Sequence, residues 1–103
     1  MTQSERPSAL VCGNDVLAWG ALHALSHANV KVPDEISVAG IGDFKGSKDF
    51  EPPLTTVRIP ARQIGAKAAH TIARSIVSPN SVTSGELVVP ELVVRGTCRS
   101  VDT

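Results

Sequence analysis

Apolar positions along the chain fall into short runs separated by glycine, proline and charged clusters, and their spacing alternates between that of a strand and that of a helix. Ser8 to Cys12 (SALVC) is an apolar run stopped by Gly13, with Asn14 or Asp15 placed as an N-cap, which predicts a strand feeding a helix. From Val16 to about Ala28, a rotation of 100° per residue gathers Leu17, Ala21, Ala24, Leu25 and Ala28 on one face, the expected core side. Trp19 and Leu22 fall opposite, so this helix carries two apolar faces. After the turn Val32-Pro33-Asp34-Glu35, Ile36 to Ile41 (ISVAGI) is apolar at nearly every position, the mark of a strand buried on both sides. A helix between two such strands is a βαβ unit, with a parallel sheet and a right-handed crossover.

Asp43 to Pro53 has turn formers and charges without a period and reads as a loop ending in Pro52-Pro53. Leu54 to Ile59 (LTTVRI) predicts a third strand. Pro60 suits the first turn of a second helix, in which Ile64, Ala68, Ile72 and Ile76 recur at four-residue spacing opposite Gln63, Lys67, His70 and Arg74. Ser78 to Ser81 breaks that helix. Two β-rich pentads come next, ELVVP and ELVVR, and Pro90 between them, unable to donate to a ladder, predicts an edge, a bulge or a crossing.

At 103 residues and 10.8 kDa the chain suits one globular domain at most. Ten Lys plus Arg balance ten Asp plus Glu, which disfavours a free-standing DNA-binding module, and three aromatic residues give little material for stacking on bases or sugars. Met1 to Pro7 has neither the basic nor the apolar part of a secretory leader, and no apolar run has the length of a membrane span. With Cys12 and Cys98 expected as reduced thiols, the reading is cytoplasmic.

Ligands of open parallel α/β sheets sit beyond the carboxyl ends of the strands, which directs attention to Gly13-Asn14-Asp15 and to Gly40-Ile41-Gly42-Asp43. Asn14 could cap a helix, meet a ligand, or do both; Asp43 could be a turn residue or a ligand contact. Gly40 and Gly42 open like a dinucleotide fingerprint, but Gly46 comes one place late and no helix succeeds it. His23 and His27 have the spacing of two metal ligands, yet Ala24 stands where the HExxH pattern has Glu, and the pair reads as a solvated face. No catalytic residue, metal or cofactor is expected.

In order, Pro7 to Asp15 (PSALVCGND), Val32 to Gly40 (VPDEISVAG), Pro53 to Arg58 (PLTTVR) and Glu91 to Arg95 (ELVVR) resemble the C-terminal part of lactose- and galactose-repressor family regulators, from Pro7 to Thr97. The resemblance implies a partial α/β domain like that of periplasmic binding proteins, mainly parallel, without the DNA-binding headpiece and spanning the last third of such a regulator. The segment after LTTVR would cross to the N-terminal subdomain and the last strands would return. It further implies a small-molecule effector of the sugar, sugar-acid or purine class, a homodimer, and operator DNA reached only through the headpiece. Asn14 matches the family's effector-contacting Asn. Gly42 stands where many relatives carry a ligand-contacting carboxylate, and Asp43 comes directly after it, a difference that favours an anionic effector such as a sugar acid. Trp19, Leu22 and Phe50 match positions relatives use to dimerise. A transport receptor of the same fold and a small nucleotide-dependent enzyme are the alternatives.

Overall fold

The computed structural model describes residues 5–81 and 85–101. The chain divides into two compact units, one holding residues up to Arg58 and again from Glu91, the other Ile59–Pro90. In the first unit, strands β1 (Ala9–Val11), β2 (Ser37–Gly42), β3 (Thr55–Arg58) and β4 (Glu91–Val93) form one sheet in the order β1-β2-β3-β4. The first three are parallel, with Leu10 opposite Val38 and Gly42 opposite Arg58, and β4 runs antiparallel with Glu91 opposite Arg58. Helix α1 (Asp15–His27) connects β1 to β2. This is the mainly parallel α/β architecture the apolar runs predict.

Paired residues share a face, so Leu10, Val38, Gly40 and Thr56 lie on one side of the sheet and Ala9, Val11, Ala39, Ile41, Val57 and Leu92 on the other. Helix α1 covers the first side. Ala18, Leu22 and Leu25 pack with Val30, Ile36, Val38 and Leu54 into one core, while Val11 and Leu92 on the second side stay largely exposed.

The expected core face of α1 is corrected. Leu17 is 58% exposed and Ala24 and Ala28 lie at the surface, whereas Ala18 and Leu22 are buried with Leu25. The cause is Asp15, which is only 2% exposed and starts a stripe Asp15, Ala18, Leu22, Leu25 with steps of three, four and three. A side chain that the pattern offers as a solvated cap is the lowest rung of the buried face. Leu22, at 8% exposure, therefore belongs to the core rather than to a second apolar face, while Trp19 stays 53% exposed.

The loop from Asp43 to Pro53 holds a short 3-10 turn, Ser47–Asp49. Of the two apolar pentads only the second forms a strand, β4, starting directly after Pro90 at the sheet edge, where a missing N–H is tolerated. Beyond β4 the chain is stitched back to the amino ends of β2 and β3. Thr97 is fully buried; its hydroxyl accepts from Thr55 N (2.8 Å) and donates to Val38 O (2.6 Å), and its carbonyl accepts from Val38 N at 2.8 Å. Arg99 N then donates to Ser37 Oγ at 3.1 Å.

The second unit holds helix α2 (Ala61–Val77), preceded by Pro60 as expected, then a 3-10 turn at Pro79–Ser81. None of the residues of α2 is buried, so the stripe Ile64, Ala68, Ile72, Ile76 is amphipathic without being a core. Part of it lines a shallow recess with Gly85, Glu86 and Val88, closed by a 2.9 Å ion pair between Lys67 Nζ and Glu86 Oε2 that holds the Glu86 carboxyl below its usual range.

Candidate functional site

The carboxyl ends of β1, β2 and β3 form one edge of the sheet, and the residues after them build the candidate site. After β1, Asn14 takes an extended conformation (φ −157°, ψ 173°) and its Oδ1 accepts from Leu17 N at 2.8 Å, capping α1. The cap uses the amide oxygen; the exposed amide nitrogen has no protein partner among the described residues and can still donate. Capping and ligand contact are thus compatible in one side chain.

At the end of β2 the backbone turns sharply, with Gly42 at φ +126° and Asp43 at φ +55°. Gly42 adopts a conformation that L residues avoid, and the place its Cβ would take has nothing within 4 Å. The position is open space. Asp43 is not: Oδ2 accepts from Arg58 Nε and Oδ1 from Arg95 Nη1, both at 2.8 Å, and Arg95 Nη1 also donates to Leu54 O at 3.0 Å. The Arg95 hydrogen bond, helped by Arg58, lowers the Asp43 carboxyl pKa against the opposing effect of burial, and Asp43 in turn raises that of Arg58. Arg58 is half exposed and its Nη1 lies 3.6 Å from Glu91 Oε2. The structure thus brings Asn14, Gly42 and Asp43 to one edge, with Gly42 vacant and Asp43 committed to two arginines.

Behind the edge lies a polar anchor that sequence reasoning missed. Asp15 Oδ1 accepts from Thr56 Oγ1 at 2.6 Å, while Oδ2 accepts from Phe44 N at 3.1 Å and, by a short bond, from Ser47 Oγ. One carboxylate therefore fastens the start of α1 to β3 and to the loop after β2. Gly40 makes this possible, since a Cβ there would collide with Asp15 Oδ1 and come within 3.1 Å of Leu54 Cδ2. The available signal is the spacing of Asp15 to Ala18, Leu22 and Leu25, with a glycine at the facing strand position. Arg58 and Arg95 lie within the family-like motifs, but only the fold shows that both reach Asp43.

Trp19 lies at the surface beside a recess lined with Leu22, His23, Ser26, Phe50 and Glu51. Burial pushes the Cys12 thiol up, and neither Cys12 nor Cys98 is in a disulfide. No helix among the described residues is long and apolar enough to cross a membrane.

A parallel sheet with a capped helix start and a glycine turn at its carboxyl edge defines an α/β domain of the binding-protein class. The family model of the periplasmic binding protein-like domain matches residues 1–98, and the chain belongs to that family. Its similarity to repressors is specific. The transcriptional repressor PurR of Haemophilus influenzae (strain PittEE) is 34% identical over 104 residues, covering 98% of this chain and 31% of the relative. The lac repressor dimer bound to operator and the anti-inducer ONPF superposes with a TM-score of 0.85 at 30% identity, over 91% of this chain and 32% of that one. A LacI family transcriptional regulator from Lactobacillus casei with bound sucrose gives 0.78 at 30% identity, over 90% and 34%. The chain spans about a third of the length of these relatives. The similarity expected from the four motifs is thus found with regulators of the lactose/galactose-repressor kind over nearly the whole of this chain.

Proposed function

We propose that this chain is the effector-binding and dimerisation portion of a transcriptional repressor, acting in the cytoplasm and responding to a sugar or sugar acid. The observation that carries this reading is the open place at Gly42 on the same sheet edge as Asn14, whose amide nitrogen can donate to a hydroxyl or carboxylate. The Lactobacillus relative holds sucrose, which supports a carbohydrate, and the next carboxylate, Asp43, is neutralised by Arg58 and Arg95, which removes a repulsion against an anion. Operator binding would come from a headpiece outside this sequence, coupled by an effector that favours one of two subunit arrangements. The reading assigns no enzymatic step.

Calorimetry on the native polypeptide containing this sequence, with neutral sugars, sugar acids and purines, tests the effector class. Preference for a sugar acid over its neutral parent is expected. Preference for the neutral sugar overturns the anionic reading, and preference for a purine overturns the carbohydrate reading.

A further inference from the structure

The imidazoles of His23 and His27 face one another on α1, with their Nε2 atoms 3.2 Å apart. Four-residue spacing alone is what many solvated helix faces show; the separation of these two nitrogens says more. An ion about 2.0–2.1 Å from each nitrogen, the usual Zn–N distance, closes an N–metal–N angle of about 100° across this gap, between the square-planar and tetrahedral values. Both rings are exposed, so an ion meets them without opening the core.

We propose that His23 and His27 form a bidentate chelate for a divalent transition ion of the Ni2+, Cu2+ and Zn2+ class, which imidazole nitrogens suit. Without metal, one ring donates its Nε2–H to the other; for both Nε2 atoms to hold the ion, the donor ring carries its proton on Nδ1 instead, so that each ring offers one Nε2 lone pair. Among the described residues no third His, Cys, Asp or Glu completes a site, and the remaining coordination positions are left to water. The ion is therefore exchangeable, and its effect is to clamp one turn of α1. That turn adjoins Trp19, whose ring stacks on His23 at a centroid distance of 5.6 Å and an interplanar angle of 20°. The chelate does not depend on the repressor reading.

Trp19 is the sole tryptophan, so its emission reports on this site directly. Ni2+ alone, titrated into the 103-residue chain at neutral pH, is expected to quench Trp19 saturably, with recovery on adding a chelator and competition by Zn2+. His27→Gln leaves the Trp19–His23 stack in place and should weaken the apparent affinity by about tenfold or more, since even a supporting partner of a metal ligand costs that much. His70→Gln, on α2, should leave the titration unchanged. A His27→Gln curve that coincides with the wild type, or a response lost in His70→Gln, overturns the proposal.

Discussion

Thr56 donates its hydroxyl to Asp15 across 2.6 Å, joining residues 41 positions apart, and both side chains are buried. The bond decides how α1 meets the sheet, because it holds the first turn of the helix against β3 while Ala18 and Leu22 fall into the core. Buried charge-assisted bonds contribute about 1.5–3 kcal/mol each, and unsatisfied partners cost more. Asp15→Asn keeps an acceptor for Phe44 N and Ser47 only by turning its amide protons on the Thr56 hydroxyl, which must then accept instead of donate, and both this change and Thr56→Val should destabilise the fold by about 1–3 kcal/mol. Urea unfolding measures both; two wild-type midpoints would show that the carboxylate is dispensable.

Two glycines of the same unit should respond oppositely to alanine. Gly40→Ala drives a methyl against Asp15 and Leu54 and should cost about 1–3 kcal/mol, the usual penalty for overpacking. Gly20, in the middle of α1 with nothing within 4 Å of its missing Cβ, should gain about 0.5–1 kcal/mol as alanine through helix propensity. Thermal melts of the two variants should move in opposite directions.

The Asp43 pair supplies a pH dependence of definite sign. Its folded pKa is depressed by Arg95 and Arg58, so the stability it provides is fully present above the carboxylate's unfolded value and is lost as pH falls through the folded one. Asp43→Asn should be less stable than the wild type near neutrality, with the gap closing as acid protonates the native carboxylate. Urea midpoints followed from about pH 7 to about pH 2.5 should converge. Parallel curves would place the arginines' effect elsewhere.

Thr97→Val keeps the shape of the side chain but leaves Thr55 N without its acceptor and takes one donor from Val38 O. A buried backbone group without a partner costs about 1–3 kcal/mol, and a loss of that size in chemical unfolding is expected. Thr97→Ser, which retains the hydroxyl, should recover most of it.

Trp19 is the exposed aromatic of the assembly proposed for the whole regulator, with Phe50 beside the same recess. Aromatic anchors of this kind carry about 2 kcal/mol or more of association, so Trp19→Ala should weaken dimerisation of the native polypeptide by about thirtyfold. Sedimentation of an undiminished dimer would remove Trp19 from the interface.

The order of strands and helices is legible in the sequence because β2 is apolar almost throughout and α1 and α2 have clear boundaries. The face of α1 is not. Helical periodicity scores apolar residues, and in this helix the buried stripe begins with an aspartate whose partners lie in β3 and in the loop after β2, so the pattern favours Leu17 over Asp15. The edge residues Asn14, Gly42 and Asp43 emerge from the rule that ligands meet strand ends, but the state of Asp43 depends on Arg95, 52 positions away, which no local pattern reveals. The family motifs locate Arg58 and Arg95 without saying what they hold.

The stitch between Val38 and Thr97 spans 59 positions and so closes a long loop of chain. Strands β1 and β2 with α1 come from one continuous stretch and pair the amino end of β2 on one side, whereas Val38 on its other side is partnered only by the distant Thr97 segment, a contact of a separation that generally forms slowly. In the interval β2 offers its free N–H and C=O groups to any strand at hand. A second copy brings an identical Thr97 segment, so the step that closes the unit is also the step at which two chains can exchange it.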